Sequence, residues 1–100
     1  FSGEPNINND PEVLMSPNPI YLPSDSGLSI FSFPSGATVK VMTLTGLVVK
    51  SFHLDDNENV INSWDCKMEN GNLLSSGIYL VTSSHPEKGN RVGKLAVIRN

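Results

Sequence analysis

The sequence predicts an all-β fold, an antiparallel β-sandwich of about seven strands. Three observations carry that expectation. Short runs rich in β-branched and aromatic residues alternate along the chain with clusters of Gly, Pro, Asn, Asp and Ser. The best-defined of these runs, Thr38 to Phe52, alternates with the period of two that belongs to strands. No window carries the 3.6-residue period of an amphipathic helix.

Residues 1–11 read as a linker ahead of a folded domain at 12–100. The linker holds Gly3, Pro5 and Pro11, with Asn6, Asn8, Asn9 and Asp10 between them and little apolar content to bury. "EVLMS" (Glu12 to Ser16) is a short apolar segment. Pro17 and Pro19 flank Asn18, which prevents helix and keeps the chain extended or turning. "SDSG" (Ser24 to Gly27) is a turn cluster, "LSIFSF" (Leu28 to Phe33) a strand, and Pro34 ends it. "TVKVMT" places Val39, Val41 and Thr43 on one face. Gly46 supplies the positive φ a tight loop requires, and "LVVKSF" returns with Leu47, Val49 and Ser51 on one face. This is a hairpin. "DDNEN" is a polar loop, "VINSW" a strand, and "KMENGN" a turn centred on Asn70-Gly71. "SGIYLVTS", the turn "HPEKGN" and "GKLAVIRN" complete the chain.

One hundred residues suit one domain with one core. The net charge of −3, with seven Lys and Arg scattered along the chain, argues against nucleic-acid binding. No apolar run approaches the ~18 residues of a membrane helix, so no membrane insertion is expected. The chain begins at Phe1, which points to a piece of a longer protein whose export signal would lie upstream. A single cysteine excludes an internal disulfide.

Catalytic and metal patterns fail on inspection. Cys66 has His53 and His85 as possible partners, but no cysteine-hydrolase signature surrounds it. Asp55, Asn57 and Asn59 fit three positions of a calcium loop. Val60 then stands where the loop needs Gly, and Cys66 where it needs a bidentate Glu, leaving at most weak calcium binding at Asp55 to Asn59. Two histidines and one cysteine lack zinc-ligand spacing. Ser75 and Ser76 lack the preceding glycine of a nucleophile elbow. Tyr21, Trp64 and Tyr79 are the aromatic residues that a polysaccharide platform would use, and strand patterning places Trp64 and Tyr79 in the core instead. The expectation is no catalytic residue, no cofactor and no resident metal.

"SPNP", "ATVKVMTLTGLVVKSF", "WDCKMENGNLLSSGIYLV" and "GKLAVIRN", in that order, resemble the C-terminal Ig-like domains of large secreted bacterial proteins. These are the sorting domains of type IX secretion and the related Ig-like domain of the flagellar hook-capping protein. The resemblance covers about 85 residues from Ser16 onward. It matches Pro17, Asn18 and Pro19 in the opening motif and Gly46 in the hairpin. Trp64 and Asp65 match the first two positions of a Trp-Asp-Gly tripeptide. Asn70, Gly71, Ser76, Gly77 and Tyr79 match the turn and the strand after it, and Gly93, Lys94 and Val97 match the last strand. Cys66 departs from the pattern, where the family has glycine. If that glycine serves a positive φ, the chain is strained or bent there.

The resemblance implies an Ig-like β-sandwich that is non-catalytic, secreted or cell-surface located, and exported through the periplasm. Its partners would be the upstream domains of its own polypeptide and the secretion machinery. The alternatives are a structural Ig-like interdomain module and a carbohydrate-binding accessory domain of a secreted enzyme. On this reading Trp64 is a core anchor, Asp65 holds the following connection, and Gly77 lets the chain enter a closely packed strand. "GIYLV" and "KLAVIR" are apolar on both faces, whereas a sandwich strand needs only one. The expected partner-facing or sorting surface is therefore this hairpin, with Tyr79, Val81, Lys94, Leu95, Ala96, Val97 and Ile98 as its candidate residues.

Overall fold

Alternation of buried and exposed side chains sets two sheets face to face. The computed structural model describes residues 12–25 and 27–99, and these contain eight strands and no helix. They are β1 (Leu14–Ser16), β2 (Ile20–Leu22), β3 (Leu28–Phe31), β4 (Thr38–Thr43), β5 (Val48–His53), β6 (Ile61–Trp64), β7 (Gly77–His85) and β8 (Gly89–Arg99). The smaller sheet runs β1-β3-β6 and the larger β2-β8-β7-β4-β5. This is an Ig-like sandwich whose N-terminal segment is divided between the sheets. The linker expected at residues 1–11 lies outside the described residues.

The period-two reading of the central hairpin holds. Val39 and Val41 are fully buried while Lys40 is exposed, and β4 pairs with both β5 and β7. Gly46 sits at φ 95° in the loop that joins β4 to β5, and its amide donates to the Thr43 carbonyl at 2.9 Å. A register shift between Val41 and Met42 leaves Val49 inward and Leu47 exposed, so the two do not share a face as expected. Ile20, Leu28, Ile30, Leu74, Val81 and Leu95 join Val39 and Val41 in the closed centre of the core.

Two features differ from the expectation of about seven antiparallel strands. β2 is an eighth strand, and it runs parallel to β8, pairing Ile20 with Val97 and Leu22 with Arg99. Its three residues, confined between Pro19 and Pro23, are too few to show a period. Its direction follows from the sheet switch: the chain leaves β1 in the small sheet and enters the large one without reversing.

The Pro17-Asn18-Pro19 motif makes that switch possible. Neither proline has an N–H to give to a sheet. Asn18 supplies the missing groups from its side chain: Nδ2 donates to the Lys94 carbonyl at 2.8 Å, and Oδ1 accepts from the Ala96 amide at 3.1 Å. The Asn18 amide thus stands in for a strand residue along the β8 edge, one step before β2 takes over at Val97. Just upstream the crossing is tight. A Cβ on Gly93 would overlap the carbonyl of Val13 and come within 3.0 Å of the Met15 side chain. Gly93 is the position where close backbone approach demands glycine.

The opposite edge of the large sheet is covered by the turn after β6. Glu69 N donates to the Val49 carbonyl at 3.0 Å, its carboxylate accepts from Ser51 N at 3.3 Å, and it pairs with Lys50 Nζ at 3.4 Å. This blunts an edge that would otherwise be free for pairing.

Replacing Asn18 by Ala removes two hydrogen bonds to the β8 edge, each worth about 0.5–1.5 kcal/mol. The expected outcome is a loss of about 1–3 kcal/mol in chemical denaturation, with the hydrogen-exchange protection of Ala96 lowered. An unchanged midpoint would show that water replaces the amide at no cost.

Candidate functional site

The stretch from Trp64 to Tyr79 is built as a structural connection. Strict alternation from the buried Ile61 would point Trp64 outward, but Ser63 adopts φ 56° and the β3–β6 register shifts between Leu28 and Ile30. The irregularity turns Trp64 inward, to 7% exposure, opposite Leu28. Its ring meets Phe52 edge-on at 5.5 Å, bridging the two sheets. Asp65 then accepts the Lys67 amide through Oδ1 at 3.2 Å, holding the chain as it leaves the strand. Cys66, where the resemblance has glycine, does carry a positive φ, 60°. The residue-type departure is therefore not a conformational one: the backbone keeps the left-handed shape at a cost of about 1–2 kcal/mol for a side chain with a Cβ.

Asn70-Gly71 closes a tight turn. Met68 N donates to the Asn72 carbonyl and Gly71 N to the Met68 carbonyl, Gly71 has φ 89°, and the Asn70 side chain accepts from Asn72 N at 2.9 Å. The chain then passes Leu74, fully buried, whose amide donates to the Cys66 carbonyl. Tyr79 is buried, and its hydroxyl donates to the Ser75 carbonyl at 2.8 Å, tying β7 to the connection before it. Burial also pushes the Tyr79 phenol above its ordinary pKa. Ser76 Oγ accepts from Arg99 N at 2.8 Å, fastening the end of β8. Gly77 departs from its expected role: a Cβ there would meet nothing within 4 Å, so close packing is not what it serves. Its φ of 153° is the feature that favours glycine.

Several of the residues weighed for chemistry are occupied structurally, while His53 is exposed at the end of β5. Cys66 is 1% exposed, and its Sγ lies 3.9 Å from the Trp64 carbonyl. Burial, with the Asp65 carboxylate beside it, pushes the thiol up to about 11. His85 Nδ1 accepts the amides of Glu87 and Lys88, both at 3.0 Å, and so caps the β7–β8 turn. In the Asp55–Asn59 loop the Glu58 carboxylate accepts the Asp55 amide at 2.9 Å. Among the described residues no group of three His, Cys, Asp or Glu side chains is placed to hold a metal. Of the three aromatic residues considered for a sugar platform, Trp64 and Tyr79 are buried and Tyr21 is exposed.

The hairpin β7–β8 is apolar on both faces, but the structure corrects which residues face out. Tyr79, Val81, Leu95 and Val97 all point into the core, because β7 and β8 pair Tyr79 with Leu95 and Gly77 with Val97 on the side that meets the smaller sheet. Of the expected surface set, Lys94, Ala96 and Ile98 remain outside. Sequence reasoning had no means to choose between two apolar faces. The outward row consists of Ile78 beside Ala96, Leu80 beside Lys94 and Met42, and Tyr21 beside Ile98. Ile78, Tyr21, Val92 and Ile98 are each between 39% and 49% exposed, forming an apolar band across the middle of the large sheet.

The fold also has a solved counterpart. The chain is similar to PorZ, described as an essential bacterial surface component of the type-IX secretion system of human oral-microbiomic Porphyromonas gingivalis. The TM-score is 0.73 and the identity 27%, over 87% of this chain. The match spans 11% of the PorZ chain. No protein-family model matches the chain, and none of the curated proteins compared with it is similar.

Two outcomes test the structural reading of this stretch. Trp64→Ala is expected to cost about 3–5 kcal/mol of stability, as truncation of a buried Trp does. An unchanged denaturation midpoint together with lost polysaccharide binding would make Trp64 a binding residue instead. The second outcome concerns pH. The unfolded chain ionises Cys66 near 9.0, while the folded chain holds the proton to about 11. The folded state therefore binds that proton more tightly, and the associated stability is present below pH 9.0 and lost as pH rises to about 11. Cys66→Ala should flatten this part of the stability profile, and an equal slope in both proteins would show that the thiol is not its source.

Proposed function

We propose that this chain is a non-catalytic domain of a longer secreted bacterial protein, acting in type IX secretion as a sorting and cell-surface anchoring signal. The observation that carries the reading is the PorZ match at 27% identity, which extends over most of the chain. It agrees with the order of motifs from Pro17 to the last strand. The partners are the upstream domains of the same polypeptide and the secretion machinery, and the location is outside the cell or on its surface. The absence of catalysis is supported by the use of several reactive side chains in the fold. Cys66 is buried and protonated at neutral pH, Asp65 holds a turn, and His85 caps another.

The surface assigned to recognition is the apolar outer band of the large sheet. Ile78, Ala96 and Ile98 lie on adjoining strands with Lys94 beside them. A machinery that accepts many different passengers must read what the passengers share, and an exposed face of the domain is readable while the domain is folded. The structural-module reading is favoured by one fact, that the matched region is a small part of PorZ. A domain of that proportion also suits packing between neighbours.

The test fuses the domain to an inert reporter in a host that has the secretion system. Deleting the last strand would remove the buried Leu95 and Val97 and unfold the domain, so surface substitutions are used. Ile78→Ser with Ile98→Ser changes exposed positions, where effects on stability are usually within about 0.5 kcal/mol per site. The expected outcome is retention of the reporter inside the cell with the domain still folded. Undiminished surface delivery would reject the outer band as the sorting surface and favour the structural module.

A further inference from the structure

Among the described residues, the sheet switch leaves part of one edge of β8 without a partner strand. β2 pairs only with Val97–Arg99, and Asn18 serves Lys94 and Ala96. Between Gly89 and Gly93, no strand among the described residues lies on that side of β8. A strand residue sends its N–H and C=O to the same side, and neighbouring residues alternate. The β7–β8 register is unbroken from Gly77 to His85, so Asn90 and Val92 direct their backbone groups the same way as Lys94 and Ala96, toward the open edge. Beside that edge the chain before β1 crosses over Gly93. The crossing encloses a groove of about 440 Å³, lined by Val13, Leu14, Met15, Leu80, Val92 and Lys94.

We propose that this groove is a peptide-docking site, in which an extended segment of a partner polypeptide with alternate apolar side chains adds as a strand to the Gly89–Gly93 edge of β8. These groups, unpaired among the described residues, select the chemistry. Two N–H and two C=O groups spaced two residues apart are matched by the backbone of an extended chain, the basis of strand addition. Leu14, Met15, Leu80 and Val92 then take alternate apolar side chains of the incoming segment. The opening is about five residues long, which favours a peptide over a second copy of the domain. An edge so short gives little of the ~1,200–2,000 Å² of a stable protein interface. The crossing at Val13 over Gly93 and the Asn18 bracket at Lys94 close one end of that edge, and the β7–β8 turn at Gly89 bounds the other. The site adjoins the outer band of the large sheet, with Leu80, Val92 and Lys94 at their common border, and it stands whether or not the domain is a secretion signal.

The probe is a blocked six-residue peptide, acetyl-TVTVTE-amide, with a fully N-methylated counterpart that has the same side chains and no backbone donors. Hydrogen exchange of the Asn90 and Val92 amides is followed by NMR on the whole chain. The expected result is that both amides exchange quickly in the chain alone and slow severalfold with millimolar peptide, while the methylated peptide has no effect. Val92→Pro removes one donor at an edge position and should abolish the slowing. Val92→Asp keeps the donor but charges the groove, and should weaken binding in a protein that folds normally. Three results would each overturn the proposal. The amides are already slow in the chain alone, they slow only as protein concentration rises (which indicates pairing of two copies), or they stay fast at millimolar peptide.

Discussion

A single amide side chain lets the chain change sheets. Between two prolines that cannot donate to a ladder, Asn18 gives one hydrogen bond to β8 and accepts another. β1 can then pack in the smaller sheet, β2 can pair with the end of β8, and the backbone can cross directly over Gly93. Without this bracket, Lys94 and Ala96 would present unpaired groups where the chain is closest to its own core. The stretch of β8 upstream, open on that edge among the described residues, is the other side of the same constraint. A strand divided between two sheets cannot cover the full length of its neighbour in either.

What the sequence disclosed follows the strength of each local signal. The β4–β5 hairpin was legible because Val39, Lys40 and Val41 alternate and Gly46 marks the loop. Asn70-Gly71 was legible as a turn because glycine at positive φ follows a residue whose side chain bonds the backbone ahead. β2 was not legible, since three residues between prolines have no period. The inward aim of Trp64 was anticipated, but its cause, the left-handed Ser63, is a tertiary event: Gly27 lies so close that an added Cβ would be 3.1 Å from the Ser63 Cα. The candidate surface was half legible. Two apolar faces on β7–β8 were evident, and only the pairing partners of those strands decide which face is covered.

Several polar groups of the Trp64–Tyr79 connection are spent on geometry. Asp65, Asn70 and Tyr79 each hold a backbone group, and Trp64 and Cys66 fill space between the sheets. The indole N–H of Trp64 and the hydroxyl of Ser83 are buried without a partner among the described residues. Such groups carry a desolvation cost of about 1–3 kcal/mol each. The core therefore tolerates polar cost to keep its shape, and the surfaces left for recognition are the outer band and the open edge.

The bracket at Asn18 also dictates an order of events. It joins positions 76 and 78 residues apart, so it closes almost the longest loop the domain contains. Local pairings such as β4 with β5 and β7 with β8 have far less chain to immobilise, and contacts at long separation are slow to form because their closure entropy comes before their reward. β2 and the Asn18 bracket can dock only onto a β8 that has already been synthesised. Until then the chain is an open, partly formed sheet, and the domain becomes a closed body only when its final strand is in place.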